Sequence, residues 1–158
     1  MSVKIVDVGV EEAEQVLQIM RLAFEEYRGK LYPESGALRE TLEDVRAGIR
    51  SGGAFLAFAG EVAAGSARFR LFSDHVYGER IGVLRAHRGR GIAVELTQAI
   101  EAIAGARNVP HVQVKVRASL PSNQRMYEKL GYRVLASQPY PIGTDVSITL
   151  GKDIGLRE

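Results

Sequence analysis

A turn rich in glycine and arginine lies just past the middle of the chain and consists of Arg88, Gly89, Arg90, Gly91, Ile92 and Ala93. It follows the apolar run Ile81 to Leu84 and opens a segment, Ile92 to Ala104, whose apolar residues recur with helical periodicity. Glycines let a backbone approach a ligand closely, and the unpaired N–H groups at the start of a helix bind anions. The pattern therefore predicts a phosphate-binding site on the backbone of residues 88–93.

Two common nucleotide-binding motifs do not fit this turn. The Walker pattern Gly-x4-Gly-Lys-Ser/Thr is absent from the chain. The dinucleotide fingerprint requires a third glycine where Val94 stands, and it follows the first strand of its fold rather than a strand past mid-chain. We therefore expect neither a nucleotide hydrolase nor a nicotinamide-dinucleotide enzyme.

Two segments of the chain resemble signatures of the GNAT superfamily of N-acetyltransferases. The turn matches that family's acyl-CoA signature, Gln/Arg-x-x-Gly-x-Gly/Ala, and residues 123–132 resemble its second signature, Asn…Tyr-Glu-Lys-Leu-Gly-Phe/Tyr. Asn123 stands four residues before Tyr127, whereas many members have seven. The resemblance spans about residues 3–150 and is specific over about residues 81–135. It implies acetyl-CoA as cofactor and transfer of an acetyl group to a primary amine by direct attack.

The resemblance also implies how the cofactor lies. The diphosphate of CoA would contact the backbone of the turn, with the arginine side chains either reaching phosphate oxygens or remaining in solvent. The pantetheine arm would pair with the backbone edge of the preceding strand, where Gly82 suggests a bulge or a close approach. The predicted cofactor-binding residues are Ile81, Gly82, Val83, Arg88, Gly89, Arg90, Gly91, Ile92, Ala93, Asn123 and Tyr127.

Two residues are the predicted catalytic groups. Tyr127 resembles the family's general acid, which protonates the leaving CoA thiolate; the alternative is a core tyrosine with a bonded hydroxyl. Glu79 lies roughly where members carry a base for the amine, acting directly or through water; the alternative is an exposed strand carboxylate. Asn123 lies one turn before Tyr127 and either contacts the cofactor or only begins its helix. A backbone N–H near Val83 would stabilise negative charge on the acyl oxygen.

The acceptor side is less well determined by the sequence. The family builds it from the first two helices, their connection and the loop between the last strands, and we expect a small-molecule amine. The candidate substrate-binding residues are Phe24, Tyr27, Tyr32, Arg68, Arg70 and Tyr140. Arg68 and Arg70 share a strand face and would suit an acidic substrate; solvated charges and core packing are the alternatives.

Periodicity predicts the elements that must position these residues. Helices are expected over Glu11–Arg28, from a Thr41 N-cap to about Arg50, over Ile92–Ala104 and over Pro121–Leu130. Strands are expected over Val3–Val8, Ala54–Ala59, Val62–Leu71, Val76–Leu84, His111–Val116, Tyr132–Ala136 and Asp145–Leu150. This predicts a single α/β domain over residues 1–158, with helices on both faces of a mixed sheet. The resemblance implies about seven strands and about four helices, with two strands splayed to admit acyl-CoA.

Composition and charge limit the possible functions. The 158 residues are 46% apolar and 25% charged and include no cysteine, so disulfides and thiol nucleophiles are excluded. The net charge is −3 over residues 1–80 and +5 over residues 81–158, which suits a polyanionic ligand. The basic residues form no block interleaved with aromatics, so we expect no nucleic-acid partner. No apolar stretch is long enough for a membrane span, so we expect a cytoplasmic protein.

Other classes remain as alternatives. His75, His87 and His111 are scattered, so no metal site is expected, and His87 should face solvent. A non-catalytic acetyl-CoA sensor would not need Tyr127 as an acid. A toxin-type enzyme acting on charged transfer RNA would need a basic acceptor cleft, which the acidic N-terminal half disfavours. A homodimer is expected because dimers are common among similar proteins.

Overall fold

Seven strands and four α-helices follow one another in the computed structural model, which describes residues 2–155. The strands are β1 (Val3–Val8), β2 (Gly52–Ala59), β3 (Val62–Leu71), β4 (Val76–Val83), β5 (His111–Arg117), β6 (Arg133–Pro139) and β7 (Val146–Asp153). The helices are α1 (Ala13–Phe24), α2 (Leu42–Ser51), α3 (Ile92–Ala106) and α4 (Pro121–Lys129). Short 3₁₀ turns occupy Val10–Glu12, Glu25–Tyr27, Gly36–Leu38 and Arg85–His87. Met1 and residues 156–158, the ends of the predicted domain, lie outside the described residues.

The strands form one sheet in the order β1-β2-β3-β4-β5-β7-β6. Neighbouring strands are antiparallel except β4 and β5, which are connected through α3 and run parallel. The predicted mixed α/β sheet with about seven strands and four helices is therefore confirmed.

The parallel pair opens into a gap after a short stretch. Residues Val76–Gly78 of β4 pair with Val112–Val114 of β5, and no further pairing joins the two strands within residues 2–155. The remaining edge of β4 and the facing edge of β5 are therefore free to bind another group. This is the predicted splay.

A bulge bends β4 within the splayed part. The register against β3 shifts between Ser66 and Arg68, and Arg80 adopts a φ of 54°. A bulge or a close approach was expected at Gly82. The bulge lies two residues earlier, at Arg80. Gly82 serves a close approach instead: a Cβ there would lie 2.8 Å from Cε1 of Phe24 and 2.9 Å from Cβ of Ala23. The glycine therefore lets the end of α1 pack against β4.

The sheet is apolar on both faces, as the predicted two-sided helix arrangement requires. Along β2, Phe55, Ala57 and Ala59 belong to one buried cluster, while Ala54 and Leu56 belong to the other. The first cluster includes Ile92, Leu96 and Ile100 of α3, and the second includes Val16 and Met20 of α1 with Val45 of α2. Because side chains alternate along a strand, each strand contributes to both cores.

Several element bounds differ from the predictions. The helix expected over Glu11–Arg28 is α1 with a 3₁₀ turn at each end, because the Glu12 carboxylate accepts from the Gly9 N–H (2.9 Å) and caps the first turn early. Thr41 caps α2 as expected, reciprocally with Asp44. β2 begins at Gly52, two residues before the expected Ala54; a Cβ at Gly52 would lie 1.9 Å from the Phe69 carbonyl oxygen. The last two strands are longer than predicted, since β7 pairs with the whole of β5.

Candidate active site

The glycine–arginine turn leaves the first N–H groups of α3 open. Gly89 and Gly91 adopt φ values of 79° and 78°, and Gly91 is the N-cap of α3 with no side chain bonded to the helix start. A Cβ at either glycine would meet nothing within 4 Å, so glycine is required there by conformation rather than by crowding. The helix start is therefore an uncapped anion site.

A cleft of about 1050 Å³ connects this turn with the gap between β4 and β5. Among the predicted cofactor-binding residues, all except Arg90 line it: Ile81, Gly82, Val83, Arg88, Gly89, Gly91, Ile92, Ala93, Asn123 and Tyr127. The unpaired edge of β4 offers backbone donors and acceptors to an extended ligand. The cleft thus combines an anion site at one end with an open strand edge along its length.

The Arg88 side chain links three parts of the cleft wall. Its Nε donates to the Val83 carbonyl (3.1 Å), its Nη2 donates to the Ala23 carbonyl (3.4 Å), and it forms an ion pair with Glu26. The hydrogen bond from Arg88 lowers the pKa of the Glu26 carboxyl below its usual value. The guanidinium thus holds the end of β4 against the end of α1. Arg90 is exposed and lies away from the wall, and phosphate contacts by either side chain stay predictions.

Tyr127 lies on the wall as a buried, neutral phenol. It is 6% exposed, and its ring packs edge-on against Tyr132 with centroids 5.6 Å apart. Burial raises the pKa of Tyr127 far above its usual value of 10.0, and the neighbouring Thr97 hydroxyl only partly offsets that rise. Burial therefore favours the neutral, protonated form of the phenol.

Asn123 faces the first helix across the cleft. Leu120 is the N-cap of α4, so the Asn123 side chain is not needed to begin that helix. Burial raises the pKa of Tyr27, and a hydrogen bond with Asn123 acts against it. Phe24 packs edge-on against Tyr27 with centroids 6.0 Å apart. These three residues all line the cleft, and their cofactor and acceptor roles stay predictions.

Glu79 also lines the cleft and has a cationic partner. It accepts a hydrogen bond from Nη2 of Arg70 (2.9 Å), and the Arg70 guanidinium lies 5.0 Å from the centroid of the Tyr77 ring. Burial raises the pKa of Tyr77. Arg70 does not line the cleft, so its visible effect is to fix the orientation of Glu79.

The remaining acceptor candidates are divided between the wall and the interior. Tyr140 lines the cleft and lies under the Arg117 guanidinium, 4.6 Å from its ring centroid. Tyr32 is exposed and does not line the cleft. Arg68 is buried and directs Nη2 at both carboxylate oxygens of Glu40. The structure therefore does not place Arg68 and Arg70 together on the acceptor wall.

The roles of three residues in or beside the cleft wall, Arg80, His87 and Thr97, were not predicted from the sequence. Arg80 lines the cleft because the bulge turns it there, and no sequence pattern indicates that conformation. His87 was expected to face solvent, yet it lines the cleft, and its buried Nδ1 has no hydrogen-bond partner within residues 2–155. The sequence signal that could have placed His87 in the cleft was its position directly before Arg88, the first residue of the turn. Thr97 is fully buried beside Tyr127 and donates to the Ala93 carbonyl (2.8 Å).

Residues 2–155 contain no group of three or more histidine or acidic side chains arranged to hold a metal ion. None of the helices described is both long and apolar enough to cross a membrane.

Comparison with known proteins identifies the family. The model of the acetyltransferase (GNAT) family matches residues 13–132. A search of curated protein sequences found no match.

Solved structures with the same fold share little sequence with this chain. The ribosomal-protein-S18-alanine N-acetyltransferase from Escherichia coli is 16% identical, with a TM-score of 0.80 over 99% of this chain and 97% of that chain. The PaiA N-acetyltransferase from Thermoplasma acidophilum, solved in complex with coenzyme A, is 18% identical, with a TM-score of 0.80 over 97% of this chain and 99% of that chain. YncA, a putative acetyltransferase from Salmonella typhimurium solved with acetyl-CoA, is 13% identical, with a TM-score of 0.77 over 100% of this chain and 97% of that chain. These similarities establish the fold.

The fold and the open strand edge define an acyl-CoA-binding acetyltransferase. The chain belongs to the acetyltransferase (GNAT) family, and it is an enzyme that transfers an acetyl group from acetyl-CoA. Its own residues fit that cofactor, because the uncapped start of α3 suits a diphosphate and the free edge of β4 suits an extended amide-containing arm.

Proposed function

We propose that this enzyme acetylates the primary amine of a small molecule by direct attack, with Tyr127 as the general acid. The observation that carries the proposal is the position of Tyr127, whose buried side chain lies on the wall of the cleft between the splayed strands. Bound acetyl-CoA supplies an activated acetyl thioester. A phenol that keeps its proton can give it to the departing thiolate, which would otherwise leave as an anion.

Two further groups of the chain have roles in the proposed transfer. Glu79 accepts the amine's proton, directly or through a water, and Arg70 holds its carboxylate in place. N–H groups on the unpaired edge of β4, near Val83, support negative charge on the acyl oxygen. Arg88 donates to the Val83 carbonyl and thereby fixes the end of β4 beside these groups.

The size of the cleft supports a small acceptor. Ligand pockets for small molecules typically enclose about 300–1,000 Å³. The volume here is about 1050 Å³ and must hold the cofactor's arm as well. The remaining space suits a compact amine. A cytoplasmic location and a homodimer stay predictions, and light scattering of the purified protein would measure the second.

Tyr127→Phe tests the general acid. Removing the phenolic proton source should lower kcat by about 100-fold or more, because acid catalysis typically contributes 10²–10⁴-fold. The affinity for CoA should stay within about twofold, since the ring is retained. Thiol release from acetyl-CoA, measured against a panel of amines, gives kcat, and calorimetry gives the affinity.

Tyr132→Phe is the matched control. Tyr132 packs against Tyr127 but donates its hydroxyl to Glu101 (2.8 Å) and does not line the cleft. This variant should lose stability and keep its turnover. Equal turnover in wild type and Tyr127→Phe would remove Tyr127 from the mechanism.

A further inference from the structure

Arg80 carries a charge on the acceptor side of the cleft that the protein does not neutralise. The cleft wall includes the end of α1 and the connection between α1 and α2, the face on which the acceptor is predicted to bind. Arg80 extends toward that face: its Nε donates to Glu40 Oε2 (3.1 Å), just before α2, and its Nη2 lies next to Gly36 in the connection between α1 and α2. Arg80 and Gly36 both line the cleft.

The partner of Arg80 is already engaged by a second arginine. Nη2 of Arg68 donates to both Oε1 and Oε2 of Glu40, and the Arg68 side chain is only 4% exposed. Two arginines therefore share one carboxylate, which leaves this cluster with a net charge of about +1. Glu40 accepts two hydrogen bonds from the buried Arg68 and one from Arg80, so its negative charge neutralises Arg68 more than Arg80. The Arg80 side chain is 31% exposed, and its two terminal nitrogens have no hydrogen-bond acceptor within residues 2–155.

The acidic residues on the cleft wall do not supply the missing charge. Glu26 pairs with Arg88 and Glu79 with Arg70, while Glu34 lies 3.6 Å from Arg28, which pairs more closely with Glu25. Arg39 and Lys115 add further positive charge to the wall and form no ion pair with any residue between 2 and 155. The acceptor side therefore has an excess of positive charge centred on Arg80.

The backbone holds Arg80 in this position at a cost. Its φ of 54° lies in the left-handed region, which a residue with a long side chain occupies only when the surrounding structure requires it. The bulge that produces this conformation turns the guanidinium toward Glu40 and the cleft. A strained residue at a ligand cleft indicates a function for its side chain.

Building on the proposed function, we propose that the acceptor amine also carries a carboxylate, and that the terminal nitrogens of Arg80 bind it. A guanidinium donates two parallel hydrogen bonds to a carboxylate, which fixes both the position and the orientation of the bound molecule. The substrate class is then a small amino acid, with the amine directed at the thioester and the carboxylate at Arg80. Arg68 and Glu40 are positioning residues for this contact.

Matched pairs of acceptors test the inference. The probes are α- and ω-amino acids of two to five carbons, each paired with its carboxamide, and thiol release from acetyl-CoA gives kcat/KM. The amines of the carboxamides are less basic, so a larger fraction of each is the unprotonated nucleophile. This difference acts against the predicted preference for the acids. Wild type should favour the acids by at least about tenfold, the usual size of a charge-assisted discrimination. Arg80→Gln should raise KM for the acids until the ratio approaches one and leave the carboxamide kinetics within about twofold.

Two other variants accompany Arg80→Gln. Gly36→Ala places a methyl group 2.8 Å from Nη2 and displaces the guanidinium without removing it, so it should lower the preference partially. If thermal melting shows that Arg80→Gln does not fold, Gly36→Ala tests the carboxylate contact in its place. Arg46→Gln removes an exposed arginine that pairs with Glu43 on α2, and it should leave the preference unchanged.

The outcomes separate this inference from the function on which it rests. Equal use of acids and carboxamides by wild type, or a preference that survives Arg80→Gln, overturns the carboxylate contact alone. Absence of thiol release with every amine overturns the proposed small-molecule acetylation itself.

Discussion

Asp145 fixes the loop that joins β5 to α4, next to the acceptor side of the cleft. Its Oδ1 accepts from the N–H groups of Ser119 (3.1 Å) and Val146 (2.8 Å), and its Oδ2 accepts from the Ser119 hydroxyl (2.6 Å). Arg117, which covers Tyr140, is also a partner at 3.4 Å. Because the side chain is only 8% exposed, these bonds replace its hydration. One carboxylate therefore holds both the loop and the arginine above Tyr140.

Asp145→Asn should show what this charge contributes and how it depends on pH. Burial acts to raise the pKa of Asp145, but the bonds from Ser119, Val146 and Arg117 outweigh it and lower the pKa below 3.8. The contribution to stability is therefore complete above that unfolded value and is lost as pH falls through the folded pKa. We expect a loss of about 2 kcal/mol at pH 7, measured by urea unfolding.

The same measurement near pH 3 should show a smaller difference between the two proteins, because protonation of Asp145 reduces the charge in the wild type and the variant has no charge at that position. Asp7→Asn, at an exposed position on β1, is the control and should change little at either pH. A loss that is independent of pH would assign the effect to shape rather than charge.

The start of α3 depends on the absence of a capping side chain. A serine or aspartate at position 91 would occupy the N–H groups that the cofactor's diphosphate requires. Gly91, with its φ of 78°, holds the helix start and leaves those donors free. The turn is thus less favourable for the isolated helix and more favourable for an anionic ligand.

Gly91→Asp should abolish detectable CoA binding, measured by calorimetry, because a carboxylate would oppose the diphosphate at short range. Gly91→Asn is the matched control: asparagine has nearly the same shape and tolerates the left-handed region as well as aspartate does. It should retain a measurable part of the affinity. Unchanged binding by Gly91→Asp would show that the diphosphate lies elsewhere.

The sheet is weakly joined at its centre, and the cleft opens at this point. β4 and β5 share three paired positions, whereas β2 and β3 share eight. The two parts of the sheet therefore depend on α3 and on whatever occupies the cleft to stay in register. A ligand that pairs with both free edges should stabilise the protein as a whole.

Acetyl-CoA should raise the melting temperature for this reason. At a concentration 100 times its Kd, mass action adds about 2.7 kcal/mol, which corresponds to roughly 5–10 °C for a chain of this size. Differential scanning fluorimetry measures the shift. Free acetate at the same concentration is the control and should have no effect. No shift at millimolar acetyl-CoA would contradict cofactor binding in this cleft.

Much of the site was predictable because its parts are local in sequence. The turn at residues 88–93 combines a strand end, two glycines and a helix start within a few positions, so its conformation follows from nearby chemistry. The helical period of α3 likewise predicted its helix, and the order of helices and strands predicted a sheet covered on both faces. The position of Tyr127 one turn after Asn123 predicted a shared helix face, and both side chains do line the cleft.

Other features depend on partners that are distant in sequence. Arg68 and Arg70 have the same strand spacing, yet one is buried against Glu40 and the other holds Glu79. Gly82 is a glycine because α1 packs against it, and Arg80 rather than Gly82 forms the bulge. The sequence by itself determined the glycine–arginine turn, the periodic elements and the family. Only the tertiary structure decided which charges are neutralised and which remain free on the cleft wall, because ion pairing depends on distances between elements that no local pattern contains.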